Sequence, residues 1–143
     1  MTLRRSDKGF SLVELLLVLA IIGILSGIAI PAFIGQRKRA RVIGDAQSNA
    51  KALMMALEAR KAENGVYGSK GTTSWTYASN TPTGSNIAPT FAPTGNTKMN
   101  YSVTVGSTGV TYTLTVTDPF QGNHTVLTAD QSGGITLDDN YNK

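Results

Sequence analysis

The sequence of 143 residues has no cysteine, one histidine and one tryptophan. Without cysteine there is no disulfide staple and no thiolate metal site, so folding rests on an apolar core. His124 has no serine or acid beside it in a catalytic spacing, and neither a lysine-bearing glycine-rich phosphate loop nor a His/Cys metal pattern is present. The expectation is a protein that is not an enzyme. Charge is sparse, at 15% of residues, and the net charge is +4. Part of that excess comes from Arg4, Arg5 and Lys8 against Asp7. A balance this mild implies no nucleic-acid partner.

Charge is missing altogether from residues 15–34. A helix needs about 20 apolar residues to cross a bilayer core, and this run has that length. It is too long for the apolar region of a secretory signal peptide, and no small-x-small cleavage site follows it. Basic residues flank it on both sides, with Arg37, Lys38, Arg39 and Arg41 following, so counting positive charges leaves its orientation open. One acid, Glu14, stands at its start. An acid in such surroundings must be paired or neutral, and it marks a functional site. Ser11 lies three residues before Glu14, which is the spacing of a capping box. Gly23 and Gly27 form a Gly-x-x-x-Gly spacing that permits close helix approach, although membrane helices are rich in glycine anyway. Pro31 removes one backbone hydrogen bond and is expected to kink the helix or loosen the turn before it.

The stretch Lys8-Gly9-Phe10-Ser11-Leu12-Val13-Glu14, continued by Leu15-Leu16-Leu17-Val18-Leu19-Ala20 and onward to Pro31, resembles the prepilin cleavage and methylation motif of type IV pilins and type II secretion pseudopilins. The resemblance implies a leader, residues 1–9, removed by cleavage between Gly9 and Phe10, and N-methylation of the new terminus at Phe10. It implies that Glu14 pairs with the α-amino group of Phe10 on a neighbouring subunit during assembly. It also implies that the helix can melt between Gly23, Gly27 and Pro31 in a filament, and that the leader side is cytoplasmic.

Beyond the apolar run, Ile43, Ala46, Ala50, Leu53 and Leu57 recur at helical spacing and form a stripe for a core. Asn64-Gly65 is a helix stop. One helix is thus expected from residue 11 to about 63, with a membrane-spanning or filament-core half at 10–35 and an amphipathic half at 36–64. Residues 65–143 form the β domain, opening with a long connection at 65–98 that holds at most a short strand near 74–78. Alternation at 99–105 and 110–117, joined by Gly106-Ser107-Thr108-Gly109, predicts a hairpin. Two further strands are expected at 125–129 and 135–137. The fold class is α+β and type IV pilin-like: a long N-terminal helix packed on a small antiparallel sheet of three or four strands.

Calcium is the one open ligand question. Asp118-Pro119-Phe120-Gln121-Gly122-Asn123 is similar to a calcium-loop motif of major pseudopilins, with Gln121 inserted. Asp130, Asp138 and Asp139 add hard oxygen ligands. These acids lack a recognised loop ending in a bidentate acid, and Asp118-Pro119 equally starts a turn. The expectation is therefore no metal and no cofactor.

The reading that follows is a structural subunit of a type IV pilus. Its partners would be copies of itself in a filament, the prepilin peptidase and methyltransferase, the inner-membrane assembly platform, and the lipid bilayer before assembly. It would pass from an inner-membrane, single-pass pool to a surface filament. The alternatives are a periplasmic pseudopilin of a type II secretion system and a signal-anchored periplasmic binding domain that never polymerises.

Overall fold

Helix α1 runs from Leu12 to Asn64 in the computed structural model, which describes residues 9–96 and 98–141. The expected leader therefore lies, except for Gly9, outside the described residues. At its far end α1 stops where Gly65 turns left-handed, at φ 77°, and donates its N–H to the Lys61 carbonyl at 2.7 Å. Glycine adopts that conformation without steric cost. Pro31 lies inside α1, and helix is assigned on both sides of it.

The chain divides into two units at Lys38 and Arg39. In the first, the large apolar side chains of α1 from Leu12 to Ile34 are all exposed. In the second, α1 buries one face: Val42, Ala46, Asn49, Ala50, Leu53 and Leu57. This is the expected stripe with two changes. Val42 heads it while Ile43 is only half-buried, and the polar Asn49 belongs to it.

The sheet that meets this stripe is antiparallel throughout and has six strands, not three or four. They are β1 (Gly71–Thr76), β2 (Ser79–Thr83), β3 (Asn100–Val105), β4 (Tyr112–Asp118), β5 (His124–Asp130) and β6 (Ile135–Leu137), in the order β2-β1-β3-β4-β5-β6. The two added strands, β1 and β2, fall inside the connection at 65–98, where β1 overlaps the short strand expected near 74–78 but begins at Gly71. β1 pairs with β3 from Gly71 opposite Val105 to Trp75 opposite Tyr101. β2 is the edge strand, where Pro82 is tolerated because an edge leaves N–H positions unpaired. The β3–β4 connection is also longer than expected. Gly106 N–H reaches the Thr111 carbonyl at 2.9 Å, so β4 starts at Tyr112 and Val110 is left exposed.

Alternate residues of the strands face α1. Trp75, Tyr101, Val103, Leu114, Val116 and Leu127 join the helix stripe in one buried cluster. Burying each such side chain contributes roughly 1.5–3 kcal/mol. The segment 84–96 is strapped across this core, with Ile87, Ala88 and Phe91 buried. Phe91 packs edge-on against Trp75, with ring centroids 5.3 Å apart, and against Tyr101 at 5.7 Å.

Candidate functional site

The N-terminal segment gathers the residues on which the functional reading turns. Gly9 and Phe10 precede the helix and are exposed, Phe10 at 85%. Ser11 then caps α1. Its N–H donates to the Glu14 carboxylate at 2.9 Å, its hydroxyl accepts from the Val13 N–H at 3.4 Å, and its carbonyl accepts from the Leu15 N–H at 3.3 Å. Ser11 and Glu14 thus share a capping arrangement in the single chain, with the acid near the positive end of the helix dipole. The Phe10 nitrogen is here in peptide linkage to Gly9, so the amine that Glu14 is expected to meet does not exist before cleavage.

Further along, a Cβ added at Gly23 or Gly27 would meet no atom within 4 Å. The backbone is therefore open at both positions, four residues apart on one side of α1. The helix is long and apolar enough, by length and composition, to cross a membrane.

The acids considered for calcium do not converge. Asp118 accepts from the Phe120 N–H at 2.9 Å with one oxygen and from the Tyr141 hydroxyl at 2.6 Å with the other. Asp138 pairs with His124 Nε2 at 3.0 Å and accepts from the Asn140 N–H at 2.8 Å. Asp130 accepts from the Ser132 N–H and hydroxyl, which hold its carboxyl below its usual range. Each acid orders its own turn or pins the C-terminal segment. Among the described residues no three His, Cys, Asp or Glu side chains come together as a metal site would require.

The comparisons fit the N-terminal geometry. Residues 4–30 match the family model described as the prokaryotic N-terminal methylation motif. The chain is 44% identical over 61 residues to the type IV major pilin protein PilA of Myxococcus xanthus (strain DK1622), a stretch covering 43% of this chain and 27% of that protein. It is 44% identical over 55 residues to fimbrial protein Q of Moraxella bovis, covering 36% of this chain and 35% of that one. This likeness supports a place in the type IV pilin superfamily. Fimbrial protein EcpC of Eikenella corrodens extends the likeness into the β domain, with 33% identity over 115 residues, 80% of this chain and 65% of that protein. The chain thus spans less than two thirds of the length of each of these curated relatives. No solved structure matches it significantly. The helix-on-antiparallel-sheet architecture is that of the pilin α+β fold.

Two features escaped sequence reasoning. Asn49 is buried on the apolar stripe, and its position there was the available signal. Tyr141 is buried against Asp118, a contact between residues far apart in sequence that leaves no periodicity to read.

Proposed function

We propose that the chain is the structural subunit of a type IV pilus. A prepilin peptidase cleaves between Gly9 and Phe10, a methyltransferase modifies the Phe10 amine, and the mature chain waits as a single-pass protein of the inner membrane. The assembly platform then draws it into a surface filament whose core is built from the first half of α1. One observation carries this reading: behind the methylation motif, the apolar side chains from Leu12 to Ile34 are exposed without exception among the large ones. Such a face needs either lipid or other apolar helices to cover it. The name shared by the M. xanthus relative, a major pilin, supports the same reading.

The pseudopilin alternative drew on the Asp118–Asn123 stretch. There Asp118 accepts from the Phe120 N–H and the Tyr141 hydroxyl, which accounts for the stretch as a turn, and the names of the relatives, a pilin and a fimbrial protein, support the pilin reading.

Glu14 supplies the test. If it serves only as a cap, Glu14→Gln costs a few tenths to about 1 kcal/mol and filaments still form. If it neutralises the Phe10 amine of a neighbour within an apolar bundle, its loss leaves a buried charge unpaired, at roughly 3–5 kcal/mol for each subunit added. The expected outcome is normal membrane levels of cleaved Glu14→Gln protein with few or no filaments by electron microscopy. A wild-type filament yield from that variant, with no wild-type chain present, would refute the assembly role.

A further inference from the structure

The outer face of the sheet, turned away from α1, is made almost wholly of hydroxyl side chains. One row crosses all six strands in register: Thr83, Ser74, Ser102, Thr115, Thr128 and Thr136. A second row runs Thr72, Thr104, Thr113 and ends on Asp130. Between β1 and β3 the neighbours touch, with Ser74 and Ser102 hydroxyls 3.2 Å apart and those of Thr72 and Thr104 3.0 Å apart. Among the described residues Asp130 is the one charged side chain of these rows, and its carboxylate is occupied by Ser132.

At one end of this face stands an aromatic pair. Tyr77, which follows β1, and Phe120, in the 3-10 turn after β4, lie with ring centroids 5.1 Å apart. Both are exposed, at 46% and 67%. Tyr77 is tied to the outer face by its N–H, which donates to the Asn100 side chain at 3.1 Å. Two large aromatic rings left this far in solvent lose part of the stabilisation their burial would give.

We infer that this face binds a neutral polysaccharide, with the Tyr77–Phe120 pair stacking on a sugar ring and the hydroxyl rows meeting the chain laid across the strands. The chemistry selects this occupant over others. A protein partner, a second copy included, would want an apolar interface core, and apart from the two rings this face offers none. A nucleic acid or anionic lipid would want basic residues, and the rows carry none. A hydroxyl offers one donor and two acceptor positions, as does each hydroxyl of a sugar. Adjacent strands lie about 4.7–4.9 Å apart, so the rows step across the sheet at a spacing close to the repeat of a pyranose chain. The sheet twists by roughly 20–25° per strand, so it suits a single twisted chain and not a flat crystal surface. The inference concerns the β domain alone and does not depend on polymerisation.

Affinity electrophoresis of the full chain in a polyoxyethylene detergent, which has no sugar headgroup, tests this. The gels would contain hydroxyethylcellulose, galactomannan or laminarin, with anionic polygalacturonate as control. At least one neutral polymer is expected to retard the chain, with little change when salt is raised. Two double variants, Ser102→Lys with Thr115→Lys and Tyr77→Ala with Phe120→Ala, should each weaken binding at least tenfold at an unchanged thermal midpoint. The aromatic variant removes only exposed side chains, so it carries the test alone if the lysine variant loses stability. Retardation by none of the neutral polymers, retardation by polygalacturonate alone, or unchanged binding in the aromatic variant would overturn the inference. So would a dimer of the full chain that the lysine variant dissociates, since a second copy would then cover the face.

Discussion

Asn49 is buried on an apolar helix stripe because every polar position of its amide is used. Its Nδ2 donates to the Thr94 carbonyl at 2.7 Å and to the Tyr101 hydroxyl at 2.9 Å, and its Oδ1 accepts from the Thr94 N–H and hydroxyl. This one side chain ties α1 to the 84–96 strap and to β3. Leucine at this position would keep the volume but leave Thr94 and Tyr101 without those partners. Thr94 is exposed and can turn to water, whereas the Tyr101 hydroxyl is buried. Leaving a buried polar group unsatisfied costs about 1–3 kcal/mol, so Asn49→Leu is expected to lower stability by about that much in urea denaturation of the full chain. The buried tyrosines supply a second, pH-dependent term. Tyr67 is pushed up from 10.0 to about 12, first by burial, then by its hydrogen bond to Glu58 and that residue's charge. Tyr101 is raised to about 12 by burial, with the Asn49 amide opposing and Asp45 adding to the shift. Burial raises Tyr112 as well, with Glu58 the next cause. Folded-state values above the unfolded one mean that the folded chain holds protons the unfolded chain has lost. The stability from this source is complete below pH 10 and drains away as pH climbs through 12. Denaturation midpoints should therefore stay level up to about pH 10 and fall steeply above it, with phenolate absorbance of these residues appearing together with unfolding. A level profile through pH 12 would contradict this.

Turns decide which of the elements could be read in advance. In the β3–β4 connection Gly109 has φ 73°, its carbonyl accepts from the Tyr67 N–H at 2.8 Å, and a Cβ there would come 2.7 Å from the Gly68 carbonyl oxygen and 3.3 Å from Val66. Gly133, between β5 and β6, has φ 84° but open space around it. Alanine at Gly133 should therefore cost only the left-handed strain, about 1–2 kcal/mol. At Gly109 it adds a clash with backbone and should cost about 2–4 kcal/mol. Equal losses in the two variants, compared by thermal denaturation, would show that the approach to Gly68 is unimportant. The sequence makes α1 legible because an apolar period, a cap and a glycine stop agree on it, and β3 and β4 legible because their inner positions are apolar in strict alternation. β1 is legible only in part, as the short strand expected near 74–78, and β2 not at all, for a physical reason. Trp75 is the only large apolar residue between Gly71 and Thr76, and β2 is a polar edge strand with a proline, so neither carries the period that marks a half-buried strand. The cross-strand hydroxyl row was hidden too, since it exists only once five pairings fix the register. At the N-terminus the spacing of Ser11 and Glu14 foretold their capping contact, whereas any partner on another chain lies beyond what one chain's geometry can hold.

For the whole molecule, the division at Lys38 separates two different solvent requirements. Every residue of the buried apolar cluster, from Val42 to Tyr141, belongs to the second unit. Among the described residues the first unit exposes all its large apolar side chains, from Phe10 to Ile34. Folding of the β domain should then owe little to residues before Arg39, while the solubility of the chain should be governed by them. A chain beginning at Arg39 is expected to stay folded and monomeric in plain buffer, keeping the sheet signal in circular dichroism while the helical signal falls with the part of α1 removed. The full chain should need detergent or lipid to avoid association. The thermal midpoints of the two should differ by less than about 4 °C, which corresponds to roughly 1 kcal/mol for a domain of this size. Loss of the cooperative transition in the shortened chain would mean that the apolar half of α1 contributes to the fold itself, and its apolar exposure could no longer be assigned to membrane and filament alone. A retained transition, with detergent dependence confined to the full chain, would assign the two tasks to the two units: one half of a helix for lipid and neighbours, the other half as one wall of a domain core.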